Sequence, residues 1–416
     1  MEKKMKRFLC LMGVSMITAL VMVTPAIATP PNVINWLVMG DFSGPYASTV
    51  GPIRIGALHA VEYVNAHGGI AGVKVNPLIY DNGGKVDITV GQFADAMTKK
   101  PKPLFTSYYY SAIGEALHDR FVEEQLPVLG SASIESIYPR GTVFAQYAVY
   151  ADMFGGFCDW LVKESKEPVK LGILTANTTY GKQITYPETT EYAKSKGIDV
   201  VGVELFGPRD IDMTTQLVKL RNAGANWVVS NYTGLPIIAI LRNIKELGWK
   251  VNYCSGYSES GQFLIDPALS VGAYFWRDRK PLGSPESKFI LDVAKGKGTP
   301  LADSVSFYSL AWVDLFHAKL VIEKIVASKG WDAVNTQSIL SEILRYSGPI
   351  MNGYTIREYT RDRYSPNKIL IVKWVAKTKE EIRETEGFVS VSDWLTLPDI
   401  FKNHPLRKQA PMYAIP

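Results

Sequence analysis

The chain has 416 residues, 47% of them hydrophobic, with 45 Lys and Arg against 40 Asp and Glu for a formal charge of +5. That length exceeds what a single core organises, so two lobes are expected. Outside the first 28 residues no basic run with interleaved aromatics occurs, which argues against nucleic acid as a partner.

Residues 1–28 open with Lys3, Lys4, Lys6 and Arg7, continue apolar from Phe8 to Val23, and close on Ala26-Ile27-Ala28. This pattern predicts a cleaved secretory signal. A retained anchor fits less well, because the apolar block is about 16 residues and a spanning helix needs ~20. Cys10 has no small residue beside it, so it does not read as a lipidation site. Removing the leader, with four basic residues and Glu2, lowers the formal charge from +5 to +2. No later window is apolar for long enough to span a bilayer, so a soluble chain outside the cytoplasm is expected.

Val33 to Met39 is nearly continuously apolar, as a strand buried on both faces would be. Gly44 and Pro45 break it, Pro52 can open a helix, and Ala57, Ala60, Val61 and Val64 mark one helical face closing on Gly68-Gly69. Val73 to Asp81 is strand-like again, giving a strand–helix–strand unit of the kind that lies right-handed over a parallel sheet. The alternation continues with a helix at 86–99, a strand ending at Ser107, a helix at 113–124, strands ending at Ser131 and Gln146, and then a second series. That series predicts helix 153–163, strand 169–175, helix 182–196, strand 200–206, helix 213–223 and strand 227–231. Strands separated by helices of ~10–15 residues indicate doubly wound parallel sheets. Ligands collect beyond the carboxyl ends of such strands.

Asp41-Phe42-Ser43-Gly44-Pro45-Tyr46-Ala47, the helix ending Val64-Asn65-Ala66-His67-Gly68-Gly69-Ile70-Ala71-Gly72, and Tyr80-Asp81-Asn82 after the next strand resemble the opening of the type I periplasmic solute-binding proteins. The resemblance is to the branched-chain amino-acid (leucine/isoleucine/valine) branch of the ABC importers and covers roughly residues 33 to 375. It implies two α/β lobes joined by three crossovers, expected near Tyr147, near 275–280 and near 350–354. The expected organisation is leader 1–28, first lobe 29–147, second lobe 148–277, return to the first lobe 278–350, return to the second 351–376, and an extension at 377–416 packing on the second lobe. A cysteine pair of better-known relatives has no counterpart, since Gly84 and Tyr110 stand near those places. Cys158 and Cys254 are compatible with a disulfide or with two buried thiols.

Catalytic signatures are missing: there is no Gly-x-Ser-x-Gly elbow, His-Glu-x-x-His, Cys-x-x-Cys or phosphate loop. His59 and His67 lie about two turns apart, too far to share a metal. Asp41 and Asp81 close strands, where Asp serves more often as a loop or helix cap than as an acid. No catalytic residue, metal or cofactor is expected.

A binding site is easier to assemble. Tyr110 and Ser111 precede a helix whose N-terminus attracts an anion, and Ser131 and Ser133 follow the next strand in the same way. The resemblance implies that these loops hold a ligand carboxylate, with Ser111 matching the motif's serine, Ser133 its hydroxyl residue and Ser131 supplying main chain. From the second lobe Tyr180 matches the family's cleft tyrosine, and Asn231-Tyr232 replaces a glycine-rich turn. The loop Ser255 to Glu259 is where amino-acid-binding relatives place the acid that receives an ammonium group. Tyr257 and Glu259 both remain candidates there, with Asp152 a weaker second acid. Tyrosines at 46, 109, 110, 180, 232 and 257 all fall on expected cleft loops, which suits a flat ligand as well as an amino acid. The resemblance therefore implies a periplasmic, monomeric substrate-binding component that captures an amino acid or similar small organic ligand and docks on ABC permease and ATPase subunits. A binder of aromatic acids, amides or urea, and a ligand-sensing receptor or regulator of the same fold, are the alternatives.

Overall fold

The computed structural model describes residues 29–256, 265–299, 307–385 and 387–415. The leader with Cys10, and both Tyr257 and Glu259, lie outside the described residues.

Strand β1 (Ile34–Gly40) sends Trp36 and Val38 into one core and Leu37 and Met39 into another. Two-sided burial leaves no face for polar alternation, so the strand reads as a continuous apolar run. Helix α1 (Ala47–Ala66) starts five residues before Pro52, which sits inside it rather than at its first position. The Asp41 carboxylate accepts from the Gly44 and Tyr46 amides (2.6 and 3.0 Å) and so organises the chain into the helix upstream of the proline. The carbonyl that Pro52 leaves without its helical partner belongs to Ser48, an exposed residue that water can reach.

The chain continues through β2 (Val75–Asp81), α2 (Val86–Thr98), β3 (Phe105–Tyr108), α3 (Ser111–Glu123), β4 (Val128–Gly130), α4 (Ile134–Ile137) and β5 (Val143–Ala145). These strands form a parallel sheet in the order β2-β1-β3-β4-β5. Helix α5 (Tyr150–Glu164) opens the second series, followed by β6 (Lys170–Ala176), α6 (Thr179–Lys182), α7 (Pro187–Ser195), β7 (Asp199–Phe206), α8 (Thr214–Asn222), β8 (Trp227–Ser230), α9 (Leu235–Glu246), β9 (Asn252–Gly256) and β10 (Tyr274–Arg277). The helix expected at 182–196 starts later, as α7 at Pro187, and a separate short α6 precedes it. The Thr178 side chain accepts from the Gly181 amide and caps α6, whereas Pro187 starts α7 afresh at a position where its missing N–H costs nothing.

Helix 308–329 returns to pack along α1, and Gly56 makes the approach possible: a Cβ there would lie 2.0 Å from the Tyr308 carbonyl oxygen. Strand β11 (Ser347–Ile350) then pairs antiparallel with β12 (Thr355–Glu358) in a two-stranded ribbon. Of the segment 351–376 expected in the second lobe, only β13 (Lys368–Trp374) joins the second sheet, antiparallel to β10. The intervening turn lies instead on the open edge of the first sheet, where the Ala145 amide donates to the Tyr364 carbonyl at 2.8 Å. The second sheet runs β14-β13-β10-β9-β8-β6-β7, with β14 (Phe388–Ser390) and β15 (Leu395–Thr396) both pairing with β13.

The C-terminal segment touches both lobes. Its strands extend the second sheet, Phe401 packs on Tyr186 of α7, and the Met412 amide donates to the Arg140 carbonyl of the first lobe at 2.7 Å. Cys158 and Cys254 are buried free thiols. No helix of the described residues is long and apolar enough to cross a membrane.

Candidate functional site

The loops after β1, β3 and β4 in one lobe face the loops after β6 and β8 in the other, and they enclose a cavity of about 80 Å³. That is room for roughly five to eight water-sized groups, the scale of a small organic molecule. Its location follows from topology: helices cover the sheet faces, so the unobstructed loops are those at the carboxyl ends of the strands.

From the first lobe come Tyr46 and Thr49 after β1, Tyr109, Tyr110 and Ser111 after β3, and Ser131 after β4. The second lobe contributes Thr178, Thr179 and Tyr180 after β6 and Thr233 after β8. Tyr147 and Tyr150, at the passage between the sheets, form the floor with Phe307 nearby. Hydroxyls are linked along it: Ser111 Oγ lies 3.5 Å from Tyr150 Oη, which is 2.9 Å from Tyr147 Oη, and Ser131 lines the same wall. Rings continue round the wall, with centroids 4.5 Å apart for Tyr150 and Tyr180, 6.2 Å for Tyr180 and Tyr232, 5.7 Å for Tyr232 and Tyr46, and 5.4 Å for Tyr46 and Tyr110.

Burial keeps these phenols protonated. It pushes Tyr110 up to about 12 and raises Tyr46, Tyr147, Tyr150 and Tyr180 as well. Among the described lining residues none carries a charge. The cavity thus offers ring faces, neutral hydroxyls and the N-terminus of α3, whose Tyr110 cap makes no side-chain hydrogen bond. It can hold a polar group by hydrogen bonds and an apolar body by contact.

Of the residues expected from sequence, Tyr46, Tyr110, Ser111, Ser131 and Tyr180 line the cavity. Asn231 and Tyr232 stand behind them. Asn231 Nδ2 donates to the Tyr180 carbonyl at 2.6 Å and holds that loop, while the Tyr232 hydroxyl donates to the Pro208 carbonyl at 3.1 Å. Ser133 is displaced from the expected role: its hydroxyl pairs with Ser136 within α4, whose own hydroxyl donates to the Ser111 carbonyl at 3.1 Å. Asp152 does not face the cleft either, because it pairs with Arg363 at 2.7 Å. Tyr147, Tyr150, Thr49 and Thr233 escaped the sequence reading. The first two carried a signal, a pair of tyrosines three apart immediately before a helix at the expected crossing.

Tyr109 shows its ring to the cavity and donates its hydroxyl to Asp314 Oδ2 at 2.7 Å. Burial pushes the Asp314 carboxyl up to about 7, against the pull of Tyr109 and of the Arg357 guanidinium. An acid whose folded pKa exceeds its unfolded value of ~3.9 stabilises the fold fully below that value. The contribution falls as pH rises through about 7, because the unfolded chain releases its proton first. Asp314→Asn is expected to remove a slope of a few kcal/mol from stability between about pH 4 and 7. Urea midpoints measured across that window for both proteins check this, and superimposed profiles would show that Asp314 ionises as freely in the fold as outside it.

Two α/β lobes closing on a cavity lined by neutral hydroxyls and rings define a small-molecule binding protein. The chain belongs to the periplasmic binding protein family, whose model matches residues 37–311. It is similar to the Leu/Ile/Val-binding protein homolog 7 of Brucella abortus (strain 2308), 24% identical over 361 residues that cover 80% of this chain and 87% of that protein. A leucine-, isoleucine-, valine-, threonine- and alanine-binding protein of Pseudomonas aeruginosa is 24% identical over 62% of this chain and 70% of its own. Among solved structures, a branched-chain amino acid ABC transporter protein from Thermus thermophilus with bound valine superposes with a TM-score of 0.78 at 17% identity, covering 90% of this chain and all of that one. A fatty acid ABC transporter substrate-binding protein from Thermomonospora curvata gives 0.75 at 18% identity, covering 93% and 98%. The fold is that of the type I periplasmic binding proteins, and fold and family are those of binders rather than enzymes.

Proposed function

We propose that the protein is the extracytoplasmic substrate-binding component of an ABC uptake transporter, exported by a leader cleaved after Ala28. In this reading it captures an amino acid or a similar small organic ligand by hinge closure and delivers it to permease and ATPase subunits in the membrane. The observation that carries the reading is the cavity itself, whose walls come from both lobes and which is complete only when they meet. The lobes also bond across the rim: Gln183 Nε2 donates to Glu135 Oε2 at 2.9 Å and Thr179 Oγ1 to Glu115 Oε2 at 3.3 Å. A ligand held between the lobes supplies the differential free energy that favours this closed arrangement.

The ring faces of Tyr46, Tyr110, Tyr150 and Tyr180 favour a second reading, a flat ligand such as an aromatic acid or amide. An ammonium buried here would need a carboxylate or several oriented oxygens to offset its desolvation. A leaderless protein should gain ~2.7 kcal/mol of stability from a ligand at one hundred times its Kd. Melting curves against branched-chain and aromatic amino acids, benzoates, short amides and urea test both readings. No shift with any member, with turnover of an ester or amide instead, would overturn them.

A further inference from the structure

A second space, a groove of about 170 Å³, adjoins the cavity, and Tyr46, Thr49 and Thr233 are walls of both. The groove is built from Pro45 and Ser48 at the start of α1, residues 208–211 after β7, and Gly234, Leu235 and Pro236 at the start of α9. Its position therefore has the same origin as the cavity's, the carboxyl ends of strands in both lobes. Its surface differs. Ile211 is 76% exposed and Leu235 49%, with Pro45 and Pro208 exposed beside them, so an apolar strip lies at the mouth of the cleft next to the exposed Arg209 and Asp210.

A polar atom marks the passage. Thr233 is 5% exposed, and its Oγ1 has no hydrogen-bond partner among the described residues. Buried hydroxyls are almost always satisfied, and this one belongs to the wall shared by cavity and groove. The Tyr232 hydroxyl donates to the Pro208 carbonyl at 3.1 Å and so ties the 207–211 loop to a ring whose centroid lies 5.7 Å from that of Tyr46.

From these shared walls we propose that cavity and groove act as one bipartite site, whose ligand is an elongated small acid or amide. Its polar head lies among Ser111, Ser131 and Tyr150, and an apolar arm passes Thr233 to lie on Ile211 and Leu235. The inference rests on the binding-protein reading and adds the ligand's shape. An α-amino acid with a short side chain fills only the inner cavity, whereas an arm of several methylenes buries the exposed apolar surface of the groove.

Calorimetric titration of the leaderless protein with two homologous series tests it. One series is straight-chain alkanoates from butanoate to decanoate; the other is 2-aminoalkanoates from alanine to 2-aminooctanoate. Once the chain outgrows the inner cavity, affinity in at least one series is expected to rise about fourfold per methylene, the equivalent of ~0.8 kcal/mol for each buried CH2. Leu235→Glu, an acid at a helix N-terminus where the fold tolerates it, should lower affinity for the longest members about tenfold or more and leave the shortest unchanged. Affinity independent of length, or an equal effect of the substitution on all members, would overturn the bipartite site and leave the binding-protein reading standing. Absence of binding by either series and by the wider panel of amino acids, aromatic acids and amides would remove both.

Discussion

Asp152→Ala is expected to cost about 3–5 kcal/mol of stability, because it strands a buried guanidinium. Asp152 on α5 pairs with Arg363 at 2.7 Å, and their side chains are only 2% and 9% exposed. The same guanidinium donates to the Pro398 carbonyl at 3.1 Å, and the other Asp152 oxygen accepts from the Ile400 amide at 2.8 Å. One ion pair thus joins the helix that opens the second lobe, the turn lying on the edge of the first sheet and the C-terminal segment. Burial pushes the Asp152 carboxyl up to about 6 even with Arg363 beside it, so the charges are held at a desolvation cost. Removing both partners should therefore be milder than removing one: Asp152→Leu with Arg363→Met should recover most of the loss. Urea denaturation of the single and double variants measures it. A single substitution that costs under about 1 kcal/mol, as an exposed pair would, contradicts the assignment.

Ser131→Phe is expected to lower ligand affinity at least about 100-fold, ~2.8 kcal/mol, while the protein still folds. Ser131 is buried in the wall of a cavity of about 80 Å³ that Tyr147 and Tyr150 also line. A phenyl ring at that position takes the space the ligand would fill, and overpacking costs the fold ~1–3 kcal/mol. Circular dichroism establishes that the variant folds, and calorimetry reads its affinity for whichever compound shifts the wild-type melting curve. The neighbouring Ser133→Ala is the control. Its hydroxyl serves Ser136 within α4, so its loss should leave affinity within about threefold. Undiminished binding by Ser131→Phe would place the ligand elsewhere.

The contrast between these two serines marks the limit of what sequence could decide. The strand–helix alternation, the two-sided burial of β1 and the loops that carry Tyr110, Ser111 and Tyr180 were all legible. Each depends on local periodicity and on the rule that parallel strands end in ligand-binding loops. Residues 131–133 form one such loop, but which hydroxyl enters the cleft depends on how α4 turns away from β4, a matter of packing against Ser111 and Ser136.

Helix boundaries were lost where a side-chain hydrogen bond, and not apolar periodicity, set them. The Asp41 carboxylate organised α1 ahead of Pro52, and the Thr178 hydroxyl capped a separate short α6 ahead of α7. Asp152 was read from sequence as a second acid for the cleft because it lies at the crossing. Its partner is 211 residues away and was invisible until the chain folded. By itself the sequence determined the class of fold, the family resemblance and the loops from which a site would be built, since all three rest on short-range pattern. The tertiary structure alone decided which hydroxyls face the cavity, that Tyr147 and Tyr150 line it, and that Tyr46, Thr49 and Thr233 border both it and the groove at Ile211 and Leu235. Those features are set by contacts between segments whose separation along the chain carries no periodic signal.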